Sequence, residues 1–228
     1  MMIKDNLQCI HNEIMHIARK CDRDPSKIKL IAVSKMKPCS AIELAIQAGQ
    51  LAFGENYVQE GIEKIQYFRQ LNMNLALQWH FIGPLQSNKT KLVAEHFDWV
   101  QTVDRLKIAK RLSEQRPNTL LPLNILIQVN ISNEQTKSGV TPDELLPLAL
   151  EIIKLPNLTL RGLMAIPKAE TDPNLQRIAF DEMFKLYDNL QQHIKLDTLS
   201  MGMSDDMVSA IIAGSNMVRI GSAIFGKR

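Results

Sequence analysis

The sequence predicts an α/β fold: a single (β/α)8 TIM-type barrel, with an extra N-terminal helix, spanning residues 1–228 as one domain. Three observations predict it. Eight short runs rich in Val, Ile and Leu recur along the chain, with helical periodicity between them. Those runs are apolar almost throughout rather than alternating, as strands buried on both faces of a parallel sheet require. Eight such units in about 200 residues match the length of a closed barrel. The competing arrangement is an open doubly wound sheet, and no G-x-G-x-x-G turn follows the first run to support it.

The elements follow in order. Ile3, Leu7, Ile10, Ile14 and Ile17 step by three and four residues and form one apolar stripe, so residues 1–24 read as a helix packing on the barrel, stopped by Asp24-Pro25. KLIAVS (29–34) is the first strand, and the helix over 38–49 has Pro near its start and Gly at its end. Strand 51–54 leads into helix 56–71, with Ile62, Ile65 and Phe68 on one face. Strand 77–82 is broken by Gly83-Pro84 and precedes helix 87–96. Strand 99–103 feeds helix 104–115, with Asp104 as the expected N-cap. Strand 123–129 is followed by helix 143–154, opened by Thr141-Pro142. Strand 158–164, the long helix 173–194, strand 199–202, helix 205–213 and strand 217–220 complete the alternation.

Composition excludes several functions. Hydrophobic residues at 45% can fill a sizeable core, and a charged fraction of 22% is ordinary for a globular chain. A net charge of +3 with no basic run, and aromatics at only 5%, argue against a nucleic-acid partner. No stretch approaches the roughly 18 apolar residues of a membrane span. Charges interrupt the N-terminal residues, so they do not read as a signal peptide. Cys9, Cys21 and Cys39 match no disulfide framework or zinc pattern, so the expected setting is the reducing cytoplasm. His11, His16, His96 and His193 lie on predicted helices without ligand spacing, so no metal is expected.

In a barrel the chemistry sits at the C-terminal ends of the strands. Ser34 and Lys35 follow the first strand; Glu55, Asn56 and Tyr57 follow the second. His80 is near the end of the third and Asn130 follows the fifth. At a low-dielectric mouth the charged form of Lys35 is disfavoured, and a neutral amine attacks an aldehyde to give a Schiff base. The bland reading is a rim lysine that snorkels to water. Lys37, two residues on, reads as facing solvent. Ser200-Met-Gly-Met-Ser204-Asp-Asp opens a helix whose free N–H groups suit an anion, although capping by Ser204 explains the same residues. After the eighth strand, Gly221 admits close backbone approach to a ligand and Ser222 adds a hydroxyl. Loops seven and eight are where many barrels hold phosphate. The direction of Arg219, within the eighth strand, depends on a phase the sequence leaves open. His80 reads as a general acid or base, or as a satisfied structural histidine. Glu55, Asp205 and Asp206 form no catalytic pair, and Met201, Met203 and Met207 read as packing.

IAVSKMKP (31–38), FGENYVQE (53–60), WHFIGPLQSNK (79–89), SMGMSDDM (200–207) and GSNMVRIGSAIFG (214–226) together resemble the YggS/PROSC family of pyridoxal phosphate homeostasis proteins. The resemblance implies the barrel of the alanine racemase N-terminal domain without that enzyme's second domain. It implies pyridoxal 5′-phosphate (PLP) as cofactor, apo PLP-dependent enzymes as partners and a non-catalytic homeostatic role; a monomer is expected. Carried over by motif, Lys35 is the Schiff-base lysine, Ser204, Gly221 and Ser222 hold the phosphate, and Arg219 faces the pyridine nitrogen. Asn56 and His80 match positions near the cofactor, and Lys137 matches a lysine in the loop after the fifth strand. Asn216 stands where the family often has Thr or Ser. An arginine at the ring nitrogen makes the cofactor a weaker electron sink. A racemase also needs a base on each face of its substrate, and Tyr57, Tyr67 and Tyr187 all precede the eighth strand. The alternatives are a PLP-dependent amino-acid racemase and a class I aldolase-like Schiff-base barrel.

Overall fold

The computed structural model describes residues 2–71, 75–132 and 138–226. Eight strands run parallel: β1 (Lys29–Val33), β2 (Ala52–Glu55), β3 (Gln78–Phe81), β4 (Trp99–Val103), β5 (Leu123–Val129), β6 (Leu158–Ala165), β7 (Thr198–Ser200) and β8 (Met217–Ile220). They pair in sequence order, and β8 closes on β1 with Ile31 opposite Arg219. The helices are α1 (Ile3–Lys20), α2 (Cys39–Gln47), α3 (Val58–Gln70), α4 (Thr90–His96), α5 (Leu106–Gln115), α6 (Pro142–Ile152), α7 (Pro173–Gln191), α8 (Met207–Ile212) and α9 (Ser222–Phe225). The closed barrel preceded by a helix is the fold the sequence predicts. No helix among the described residues is long and apolar enough to cross a membrane.

Three boundaries differ from expectation. α1 stops at Lys20 because Asp22 takes a left-handed backbone (φ 53°), while Asp24 caps a separate single turn by accepting from the Ser26 N–H. Asp104 is not the N-cap of α5; Arg105 holds that position, and the Asp104 carboxylate instead accepts from the Arg105 guanidinium at 2.7 Å. β7 ends at Ser200 and α8 begins only at Met207, because Gly202 turns the chain at φ 99°.

The period-two alternation of the strands divides the buried residues into two cores. Leu30 and Ala32 of β1 pack outward with Phe53 and Phe81 against the helices. Ile31 points inward, where it meets Ala52, Trp99, Leu126, Met164 and Met217 in the lumen. The barrel is therefore filled, not a pore. At its floor Trp99 is covered by the cations of Lys29 and Arg161, 5.4 and 5.0 Å from the ring. α1 buries Leu7, Ile10, Ile14 and Ile17 and packs on α2, α8 and α9. Truncating one such buried Leu or Ile to Ala costs about 2–5 kcal/mol. The same N-terminal segment holds α9 and the C-terminal end of α8. Asn6 donates to the Ile224 carbonyl at 2.8 Å, and Arg23 donates to the Ile211 and Gly214 carbonyls.

Candidate functional site at the barrel mouth

A cavity of about 320 Å³ opens at the C-terminal ends of the strands. It is lined by Lys35, Asn56, Ser204, Arg219, Gly221 and Ser222, joined by Lys37, Asp205, Met203 and apolar Val33, Ile82 and Ile166. Six of the seven predicted cofactor-binding residues thus share one wall-to-wall space. His80 is the one that does not line it. Lys137 lies outside the described residues.

Lys35 sits in the turn that ends β1. The turn is closed by the Lys37 N–H donating to the Ser34 carbonyl at 3.0 Å, and Met36 adopts φ 59°. Non-glycine residues rarely occupy that region. Lys37 does not face solvent as expected. It is half-buried, and its ammonium donates to the Phe225 and Gly226 carbonyls at 3.1 and 3.2 Å, tying the β1 turn to the C-terminal turn.

Across the cavity the hydroxyls of Ser204 and Ser222 are 3.2 Å apart, which joins the loops after β7 and β8. The first N–H groups of α9 have no intrahelical acceptor and lie on this side. A Cβ added at Gly221, on the cavity wall, would lie 3.3 Å from the Val33 Cβ and 3.4 Å from the Val33 carbonyl oxygen. The glycine lets the end of β8 lie against the end of β1. Asp206 fixes the other loop by accepting from the Met203 N–H at 2.5 Å; burial pushes its carboxyl above the ordinary range.

The phase of β8 turns Arg219 inward. Its guanidinium is 4% exposed and donates to the Ser200 hydroxyl at 2.7 Å and the Ala165 carbonyl at 2.9 Å. Burial lowers its pKa to about 10, against a smaller opposing pull from Asp206, so it remains a cation at neutral pH. Ser200 bonds Gln101 at 2.7 Å, and the Gln101 amide meets His80 Nδ1 at 2.9 Å. An amide N–H facing Nδ1 makes that nitrogen the acceptor and places the ring proton on Nε2. His80 is fully buried, stacks on Trp99 and is held neutral by desolvation. It ends a polar chain from Arg219 into the lumen and does not approach the mouth.

Asn56 follows β2 under Gly83. A Cβ on Gly83 would fall 2.1 Å from the Asn56 carbonyl oxygen, so only glycine allows this approach, and Thr102 donates to the Gly83 carbonyl at 2.7 Å. The Asn56 Oδ1 is buried with no protein partner, an orphaned acceptor on the cavity wall. Buried polar atoms of this kind call for a ligand or water.

One group was missed by sequence reasoning. Glu55 is wholly buried on the outer face of β2 and accepts from the Ser34 hydroxyl at 2.6 Å and from Lys64 Nζ at 2.9 Å. Lys64 also donates to the Ser34 carbonyl at 2.7 Å and to Glu60 at 2.6 Å, and Glu60 accepts from the Met36 N–H at 2.5 Å. Burial raises the Glu55 carboxyl pKa, with Lys64 opposing it. The available signal was that Lys64 falls on the same face of α3 as Gly61, Ile65 and Phe68, all of them buried.

A filled parallel barrel whose first strand delivers a lysine to a mouth with a buried arginine and a hydroxyl pair belongs to a defined class. The chain matches the model for the alanine racemase N-terminal domain over residues 6–228. It is 60% identical to the pyridoxal phosphate homeostasis protein of Pasteurella multocida, an alignment covering 100% of this chain and 98% of that protein. It is 56% identical to the protein of that name from Escherichia coli K12, covering 99% and 97%. The chain belongs to the pyridoxal phosphate homeostasis protein family. Among solved structures it is similar to PipY of Synechococcus elongatus PCC7942 with PLP bound, at 33% identity and TM-score 0.85, covering 99% of this chain and 100% of that one. Alanine racemase of Clostridium difficile 630 shares the fold at 18% identity and TM-score 0.76, with 98% of this chain matching 57% of that enzyme.

Proposed function

We propose that this chain binds PLP reversibly at the barrel mouth and serves PLP homeostasis without catalytic turnover. One observation carries the reading: a lysine, a hydroxyl pair and a buried arginine line a single cavity of about 320 Å³. That volume lies at the small end of the range of about 300–1,000 Å³ for small-molecule sites. The orphaned Asn56 acceptor gives a further point of attachment.

In this reading Lys35 would hold the cofactor through its aldehyde, Ser204, Ser222 and the N–H groups beside Gly221 would hold its phosphate, and Arg219 would serve its ring. When bound, the cofactor supplies an aldehyde for amines and a ring that withdraws electrons from them. Arg219 leaves that withdrawal weak, because a guanidinium cation does not share a proton with the ring nitrogen as a carboxylic acid would. Among the described residues, the ionisable groups of the cavity are Lys35, Lys37, Asp205 and Arg219. Lys37 is engaged by two carbonyls and so is not free to act as a second base opposite Lys35. Among the described residues the cavity opens at the barrel mouth, by which ligand would leave toward free amines or apo-enzymes.

The test separates a holder from an enzyme. L-alanine incubated with concentrated, PLP-loaded protein should keep its optical activity, and cofactor should reach an apo-enzyme faster than it reaches a dilute amine trap. Racemisation would replace this reading with an amino-acid racemase.

A further inference from the structure

Behind the mouth, between β2 and α3, lies a buried lysine that the reading above does not use. Lys64 is 5% exposed, and its ammonium donates to three acceptors: the Ser34 carbonyl, Glu55 and Glu60. The same two carboxylates hold the residues on either side of Lys35. Glu55 takes the Ser34 hydroxyl, and Glu60 takes the Met36 N–H. The Ser34 N–H is committed to the Gly54 carbonyl at 3.0 Å, so the start of the turn is fixed on every polar group. Met36 needs this support. It holds a left-handed backbone at φ 59° while its own side chain is 58% exposed, so side-chain packing does little to keep it there. Strained backbone persists where its surroundings over-determine it, and such strain concentrates at functional turns.

We propose that Lys64 is the positioning residue for Lys35: through Glu55 and Glu60 it clamps Ser34 and Met36 and so aims the intervening amine into the mouth. The chemistry explains the residue type. A compact ammonium with three rotatable donors satisfies three acceptors arranged around it, which the planar fork of arginine does not. This inference rests on the proposed role of Lys35 and deepens it.

A ligand without an aldehyde separates positioning from general damage. Pyridoxine 5′-phosphate uses the phosphate and ring contacts but not the amine. In full-length Lys64→Met, PLP affinity should fall about ten- to hundredfold, the cost of a misplaced reacting group. Pyridoxine 5′-phosphate affinity should stay within about twofold. Borohydride trapping at Lys35 should slow in parallel with the loss of PLP affinity. Unchanged PLP affinity, or equal losses for both ligands, overturns the proposal. If Lys64→Met does not fold, Glu60→Gln decides on the same criterion, with an expected loss for PLP alone of about three- to tenfold. If wild-type protein itself forms no Lys35 adduct, the functional reading fails; if wild type forms it and the variants match wild type, only the positioning role fails.

Discussion

Lys64 and Arg219 are both buried cations, one in the helix layer outside β2 and the other inside the barrel lumen. Lys64 is matched by two carboxylates and a carbonyl. Among the described residues Arg219 hydrogen-bonds neutral acceptors, a hydroxyl and a carbonyl, and the counter-charge of Asp206 acts on it through space. The difference teaches what each is for. A cation surrounded by anions is spent on holding the structure together. A cation left with neutral partners keeps its field for a ligand in the proposed reading, and Arg219 lines the mouth cavity.

That contrast makes opposite predictions for the same substitution. Lys64→Met strands Glu55 in a buried site, so unfolding free energy should drop by about 3–5 kcal/mol in denaturant titration. Arg219→Met takes no hydrogen-bonded partner from a buried charge, since Asp206 acts on it only through space, so stability should move far less. PLP affinity should instead weaken by about 1.5–3 kcal/mol, the worth of hydrogen bonds from a charged group. If Arg219→Met proves the more destabilising of the two, the contrast fails.

The pH dependence sharpens it. Burial raises the Glu55 carboxyl in the folded state, and Lys64 opposes this. Between its ordinary and raised pKa the folded state binds the proton that the unfolded state has lost, so stability falls as pH rises through that window. Lys64→Met should widen the window upward, so that the variant loses stability toward neutral pH more steeply than wild type. A parallel pH–stability profile would mean the two groups are not coupled. Smaller effects are expected at the phosphate side. Ser204→Ala or Ser222→Ala should weaken PLP and inorganic phosphate together, each by about 1 kcal/mol. Gly221→Ala is the mildest: its Cβ meets Val33 at 3.3 Å, so a shift of a few tenths of an ångström at the end of β1 suffices. It should cost under about 1 kcal/mol of stability, read as a small drop in Tm.

Much of this was legible in the sequence because strands buried on both faces leave continuous apolar runs. The mouth was legible because a barrel puts its chemistry at known strand ends. What escaped reading depends on contacts between distant residues or on strand phase. Arg219 became an inward residue only once Met217 was placed in the lumen beside it. Lys37 looked like a solvent lysine because its carbonyl partners, Phe225 and Gly226, lie at the other end of the chain. Glu60 and Lys64 stand one helical turn apart on α3. Only the closure of α3 over β2 shows that they grip the Lys35 turn. His80 sits where a strand-end histidine suggests cofactor contact, yet its partner Gln101, on β4, draws it into the lumen.

The most direct measurement is a peptide map of PLP-loaded protein after borohydride reduction. A reduced phosphopyridoxyl group on the peptide containing Lys35, and its loss in a folded Lys35→Ala variant, is the predicted result. A wild-type adduct confined to another lysine, or none in a protein that still binds PLP, would contradict it.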